Sequence, residues 1–247
     1  MTPQDPQPFP ASEYEIPPEP RNGAFWSWLD VVMFVAFAFL SLLIAMAATA
    51  LLHMSHLFAQ ATELVLAQCI LYVLIIGALY IIIRSRYRRP FWPAMGFGPA
   101  RPHWITYAVA GMFLAVFIGL LGVALKAPEI PLPFQDMLRS RGAIISLGVL
   151  VVALGPFCEE LVFRGFLMPI LMRTLGIAAG IILAGVLFGA LHGPEYHWAW
   201  QQIVLISTVG VVFGWARYRT GSNIPAFLMH AGFNLTQFVA LIYSNTK

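Results

Sequence analysis

The chain has 247 residues, of which 60% are hydrophobic and only 10% are charged, and its formal net charge is +3. A soluble domain usually carries about 25% charged residues, so this composition excludes an ordinary soluble protein and indicates an integral membrane protein. The slightly basic balance does not indicate a nucleic-acid partner, because no segment has the composition of a soluble domain with a basic face. The expected surroundings are the lipid bilayer.

The first segment, residues 1–24, is rich in proline and acidic residues and contains no hydrophobic run. It lacks the basic start and the apolar stretch of a signal peptide. Such a composition cannot bury enough apolar surface to fold. We therefore predict a disordered, Pro-rich tail on the cytoplasmic side.

Seven stretches without Asp, Glu, Lys or Arg follow the tail: 31–52, 64–83, 104–125, 143–158, 175–191, 198–216 and 223–243. A spanning helix needs about 17–25 mostly apolar residues, which 143–158 and 175–191 reach only marginally. Lipid supplies no hydrogen-bond partners for the backbone, so each stretch must form a helix or a barrel strand. The stretches lack the alternation of apolar and polar residues that barrel strands show. The sequence predicts an all-α, polytopic membrane helical bundle with seven or eight transmembrane helices. Residues 25–142 form its N-terminal helices and loops, and residues 143–247 carry the polar motifs.

Arginines predict the orientation of the bundle. Five lie in the loop after the second stretch, namely Arg84, Arg86, Arg88, Arg89 and Arg101. Loops rich in Lys and Arg stay in the cytoplasm, so this loop and the N-terminus are expected there, and the C-terminus on the other side. We expect the plasma (inner) membrane as the location.

The sequence GPFCEELVFRGF, residues 155–166, places two glutamates and an arginine inside an apolar stretch. An ionisable group in a membrane helix costs about 2.5–3.5 kcal/mol and indicates a functional site. Glu160 and Arg164 have the i, i+4 spacing of an ion pair, so we predict that they hold each other. Glu159 is rotated about 100° from Glu160 and is predicted to face a cavity. Pro156 is predicted to kink the helix there.

Two later stretches carry polar residues four positions apart: Phe188 with His192, and His230 with Asn234. Residues with this spacing share a helix face, so we expect Glu159, His192, His230 and Asn234 to meet at one cavity. Such a set suits the activation of water or the binding of a metal ion. Along straight helices, Glu159 lies about 21 Å from Arg173 and His230 about 10 Å from the start of its stretch. Tilt, the kink, or a split of the fourth segment into two helices must remove this difference.

The patterns EExxxR, FxxxH and HxxxN, in this order on successive membrane helices, resemble the CAAX-protease and bacteriocin-processing (CPBP) family of intramembrane endopeptidases. That family includes the type II CAAX prenyl endopeptidase. The resemblance covers residues 143–243 and rests on Glu159-Glu160-x-x-x-Arg164, Phe188-x-x-x-His192 and His230-x-x-x-Asn234. It implies hydrolysis of a peptide bond in the membrane. Glu159 would be the general base with help from His192, and His230 and Asn234 would stabilise the oxyanion.

The resemblance does not determine the cofactor or the substrate, and it does not exclude other functions. Glu159, His192 and His230 could bind zinc, as in a metalloprotease, or act on water directly, and no HExxH motif occurs. The implied partner is a membrane protein or peptide substrate, prenylated if CAAX-box processing is the reaction. A proton-coupled transporter is one alternative, because buried Glu, Arg and His build proton relays. A non-catalytic membrane scaffold or immunity protein is another.

Overall fold

The computed structural model describes residues 24–98, 104–131, 134–138 and 140–245. The predicted tail lies outside these residues except for residue 24, and Arg101 also lies outside them. Every regular element within the described ranges is a helix. The all-α prediction is therefore confirmed, as expected for a chain whose backbone polar groups must be satisfied in lipid.

Besides the 3-10 turn Gln135–Met137, eight helices follow one another along the described chain. They are α1 (Trp28–Ser55), α2 (Gln60–Arg86), the single turn α3 (Phe91–Ala94), α4 (Trp104–Ala124), α5 (Arg141–Leu175), α6 (Ile177–Leu191), α7 (Trp200–Thr220) and α8 (Asn223–Asn245). Five of them, α1, α2, α4, α5 and α8, are long and apolar enough to cross a membrane. Without α3, the described helices number seven, one for each apolar stretch of the sequence.

Helix α5, which carries the EExxxR pattern, is continuous over 35 residues. The fourth segment is therefore not split into two helices. Two stretches of π-helix interrupt its regular winding, Leu150–Leu154 before Pro156 and Leu161–Leu167 after Glu160. Pro156 has no backbone N–H to continue the helical ladder, and π-helical turns are frequent at functional sites. The irregular winding thus flanks the two glutamates on both sides.

Two clusters of buried side chains define the two ends of the bundle. The first, which we call the arginine end, includes Trp26, Leu79, Met95 and Phe166, and it lies next to the arginines that follow α2. The second, the cavity end, is formed by Ala61, Leu147, Leu150 and Phe238, with the turn 134–138 packed against it. The start of α2, the start of α5 and the end of α8 therefore meet at the same end.

Helices α4 and α8 pack closely where α8 carries the HxxxN pattern. Gly111 faces the backbone carbonyl of Met229, and Gly232 faces that of Ala108, so that a Cβ at either glycine would collide with the opposite backbone. Only glycine permits this approach. The contact holds His230, which lies between Met229 and Gly232, at the centre of the bundle.

Candidate active site

The ionisable residues of α5 and α8 form a buried network. Arg164 donates from Nη1 to Glu160 Oε1 at 2.9 Å, and from Nη2 to the backbone carbonyl of Gly210 at 2.8 Å. Glu160 is fully buried and Arg164 is 1% exposed. A buried charge is tolerated only when it is paired, and in this network the guanidinium of Arg164 and the carboxyl group of Glu160 are partners.

Glu160 also has a partner that the i, i+4 spacing did not predict. The same Oε1 atom lies 2.9 Å from Nδ1 of His230, 70 residues further along the chain. A carboxylate that pairs with arginine accepts hydrogen bonds only, so Nδ1 of His230 carries the hydrogen. Glu160 therefore fixes the ring orientation of His230 and leaves its Nε2 atom available to the cavity.

Asn223, at the start of α8, supports the position of Glu160 through the backbone. Its side-chain amide donates to the carbonyl of Glu160 at 2.9 Å and to that of Met95 at 3.3 Å. On the other side, the indole of Trp26 donates to the carbonyl of Phe166 at 3.1 Å. The Asn223 amide and the Trp26 indole thus donate to backbone carbonyls of α5, whose π-helical stretch leaves carbonyls without their regular helical partners.

Glu159 points away from this network, as its rotation around the helix predicts. Its side chain is 27% exposed, whereas that of Glu160 is fully buried, and its Oε2 atom lies 3.7 Å from Nε2 of His230. Glu159 lines a cavity of about 850 Å³, and so do His192, His230 and Asn234. The structure therefore brings all four polar residues to one cavity, although their roles stay predictions.

His192 and Asn234 are each held by one backbone carbonyl. Nδ1 of His192 lies 2.8 Å from the carbonyl oxygen of Phe188, so this nitrogen carries a hydrogen, and in the neutral ring Nε2 is the acceptor. The Asn234 amide donates one hydrogen to the carbonyl of Val151 at 2.9 Å. Its second N–H hydrogen is left for a ligand in the cavity.

Phe188 packs against the charged network and both histidines. Its ring centroid lies 4.6 Å from the Arg164 guanidinium carbon, 4.7 Å from the His192 ring and 5.7 Å from the His230 ring. An arginine over an aromatic face is attracted by the ring quadrupole. The phenylalanine of FxxxH thus holds the buried arginine and the two histidines at fixed spacing.

The cavity also contains residues that the motifs did not indicate. Gln68 and Tyr72 of α2 line it, as do Glu129 and Glu195 from two loops. The Tyr72 hydroxyl and Glu159 Oε1 lie 3.2 and 3.8 Å from the position that a Cβ on Gly155 would take. Glycine at 155 therefore leaves room for both groups. No sequence signal distinguishes Tyr72 from other tyrosines in apolar helices.

Glu195 lies in the loop between α6 and α7, three residues after His192. Burial raises the pKa of its carboxyl, the negative charge of Glu159 raises it further, and the nearby His192 opposes both effects. The loop therefore places a carboxyl group with a raised pKa, that of Glu195, at the wall of the cavity.

Glu159, His192 and His230 are the predicted metal ligands. Among the residues that the structure describes, no group of three His, Cys, Asp or Glu side chains is arranged to hold a metal ion. Glu159, His192 and His230 share the cavity without forming a ligand set. Zinc binding therefore stays a prediction.

The comparison with protein families agrees with the three motifs. Residues 141–236 match the family described as Type II CAAX prenyl endopeptidase Rce1-like. This range begins with α5 and includes Glu159, Glu160, Arg164, Phe188, His192, His230 and Asn234. No curated protein and no solved structure matches the chain.

Proposed function

From the match of residues 141–236 to the Rce1-like family, we propose that this protein is an intramembrane endopeptidase that hydrolyses a peptide bond with water activated by Glu159. One observation carries the proposal. Within the matched range, a partly exposed carboxylate, two imidazoles and an amide from three helices line one cavity. Hydrolysis needs a base, donors for the oxyanion and a space for the substrate, and this cavity offers all three.

Glu159 is the proposed general base. It is the one of the two adjacent glutamates that lines the cavity, while Glu160 is committed to Arg164 and His230. The Glu159 carboxylate takes a proton from a water molecule, and the water oxygen attacks the carbonyl carbon of the peptide bond. His192 accepts a hydrogen bond from the same water at Nε2, because its Nδ1 hydrogen is held by Phe188.

His230 and Asn234 are the proposed oxyanion donors. His230 donates from Nδ1 to Glu160, and it donates from Nε2 to the oxyanion when both ring nitrogens carry hydrogen. Its Nε2 atom lies beside Glu159, 3.7 Å from the Oε2 atom of that residue. Asn234 contributes the N–H hydrogen that Val151 does not accept. A single donor of this kind lowers the barrier by about 2.7–4 kcal/mol.

Breakdown of the tetrahedral intermediate completes the reaction. The carbon–nitrogen bond breaks, and the leaving amine takes the proton that Glu159 received from water. The products are a carboxylic acid and an amine, which exchange a proton to become a carboxylate and an ammonium group, and Glu159 is again ionised. The proton that water gives to Glu159 is therefore returned at the same side chain, which lines the cavity.

The proposed substrate is a membrane-associated protein or peptide, because the cavity lies within the helical bundle. A prenylated CAAX-type C-terminus is the narrower form that the family suggests. The arginines at and after the end of α2 support an N-terminus in the cytoplasm. The plasma (inner) membrane is the proposed location.

Comparative proteomics of membrane fractions tests the proposal. Cells with the wild-type protein should contain new peptide termini that are lost with Glu159→Gln. A matched control is Glu63→Gln, because Glu63 is also buried but pairs with His53 and does not line the cavity. Termini that persist in Glu159→Gln, or that disappear equally in both variants, would contradict the proposed base.

A further inference from the structure

The lining of the active-site cavity is confined to one end of the molecule. Its residues come from the first half of α2, the later part of α4, the first part of α5 as far as Glu159, the end of α6, the first half of α7, and α8 from His230 onwards. Loop residues, among them Glu129, Phe134 and Glu195, also line it. The cluster that defines the cavity end, Leu147, Leu150 and Phe238 among others, packs around the same elements. No residue of 73–98, the later part of α2 with its arginine loop, lines the cavity.

Positive charge is concentrated at the opposite end. Arg86 pairs with Asp30 at 2.7 Å, Arg173 donates to the carbonyls of Ala24 and Trp26, and Arg217 packs on Gly96. Seven described basic residues belong to this end: Arg84, Arg86, Arg88, Arg89, Arg173, Arg217 and Arg219. At the cavity end, the described basic residues are Lys126 and Arg141.

This asymmetry determines which side of the membrane the cavity faces. The excess of Lys and Arg marks the cytoplasmic side of a membrane protein. The cavity end is the other end. We propose that the active site opens away from the cytoplasm, and that its substrate is a peptide segment exposed on the non-cytoplasmic face: an exported or membrane-anchored peptide, as opposed to a lipid-modified C-terminus in the cytosol. The substrate class rests on the proposed function.

The polar lining is consistent with such a peptide. Glu129 and Glu195 lie at the loops of the cavity, Glu159 lies deeper, and no described lining residue is a lysine or arginine. A free C-terminal carboxylate close to these groups would be repelled, because like charges in a partly buried site are screened only weakly. A neutral or basic segment within a longer chain meets no such repulsion.

Cysteine accessibility in cells tests the direction of the opening. In a background with Cys69→Ala and Cys158→Ala, three single cysteines are introduced: Gln68→Cys in the cavity, Glu129→Cys at its loop and Ser85→Cys at the arginine end. The reagent is a charged, membrane-impermeant methanethiosulfonate, applied to intact cells and to inverted membrane vesicles. Glu129 and Ser85 are both exposed in the structure, so they serve as markers for the two faces.

We expect Gln68→Cys and Glu129→Cys to react in intact cells, and Ser85→Cys to react only in inverted vesicles. Reaction of Gln68→Cys only in inverted vesicles, or in neither preparation, would overturn the inference, and so would reaction of Ser85→Cys in intact cells. The labelling does not depend on peptide hydrolysis. An inactive protein with a cavity open to the outside would therefore refute the proposed function and leave the orientation standing.

Discussion

Replacement of Arg164 by alanine should destabilise the fold strongly, because it leaves a carboxylate uncompensated in the centre of the bundle. Arg164 is 1% exposed and Glu160 is fully buried. Removal of one partner from such a pair costs about 3–5 kcal/mol. Loss of the charge-assisted bond to the Gly210 carbonyl lowers the free energy of unfolding by about a further 1.5–3 kcal/mol. His230 still donates a hydrogen bond to Glu160, and this bond offsets a similar amount. We expect a net loss of about 3–5 kcal/mol.

The assay is denaturant unfolding of purified protein in detergent micelles. Arg219→Ala is a suitable control, because Arg219 is exposed and lies over the Trp215 ring, a contact worth about 0.5–1 kcal/mol. The double variant Glu160→Gln with Arg164→Met removes both charges and should recover much of the loss. The reasoning is refuted if Arg164→Ala unfolds with the same free energy as Arg219→Ala.

Three further predictions concern the cavity. Asn234→Ala should lower turnover of a cleaved peptide by about 10²–10³ with KM largely unchanged, because it removes an oxyanion donor; unchanged turnover would exclude the amide from the oxyanion site. If Glu159 acts without a metal, chelators should leave activity intact. Elemental analysis is the second test: stoichiometric zinc in the wild type and none in His230→Ala would favour the metal alternative. Because burial raises the pKa of Glu195 above its ordinary value near 4.5, ionisation of Glu195 destabilises the folded protein as the pH rises. Glu195→Gln should therefore have a higher free energy of unfolding than the wild type at neutral pH and the same free energy below pH 4.5. An equal difference at both pH values would contradict the raised pKa of Glu195.

Local spacing predicted the parts of the site that lie on one helix. The i, i+4 positions of Glu160 and Arg164 correspond to a bond of 2.9 Å, and the rotation between adjacent glutamates correctly separates the exposed one from the buried one. The apolar stretches predicted the helices because, in lipid, hydrophobic length is the main requirement for a spanning segment. These features depend on residues that are close in the sequence.

Contacts between distant helices could not be predicted in the same way. The bond from His230 to Glu160 and that from Asn223 to the Glu160 carbonyl depend on how α8 packs against α5. The predicted difference in depth led to the expectation of tilt, a kink or a split of the fourth segment. In the structure, α5 is continuous, so the segment is not split, and it contains two π-helical stretches. Tyr72 of α2 lines the cavity, but no sequence pattern indicates this.

Hydrolysis by purified protein tests the central claim most directly. The substrate is a peptide identified from the termini lost in cells, and initial rates are compared for the wild type, Glu159→Gln and Glu63→Gln in the same detergent. Because Glu159 lines the cavity and Glu63 does not, we predict cleavage by the wild type and by Glu63→Gln, and none by folded Glu159→Gln. Cleavage by Glu159→Gln at the wild-type rate would contradict the account.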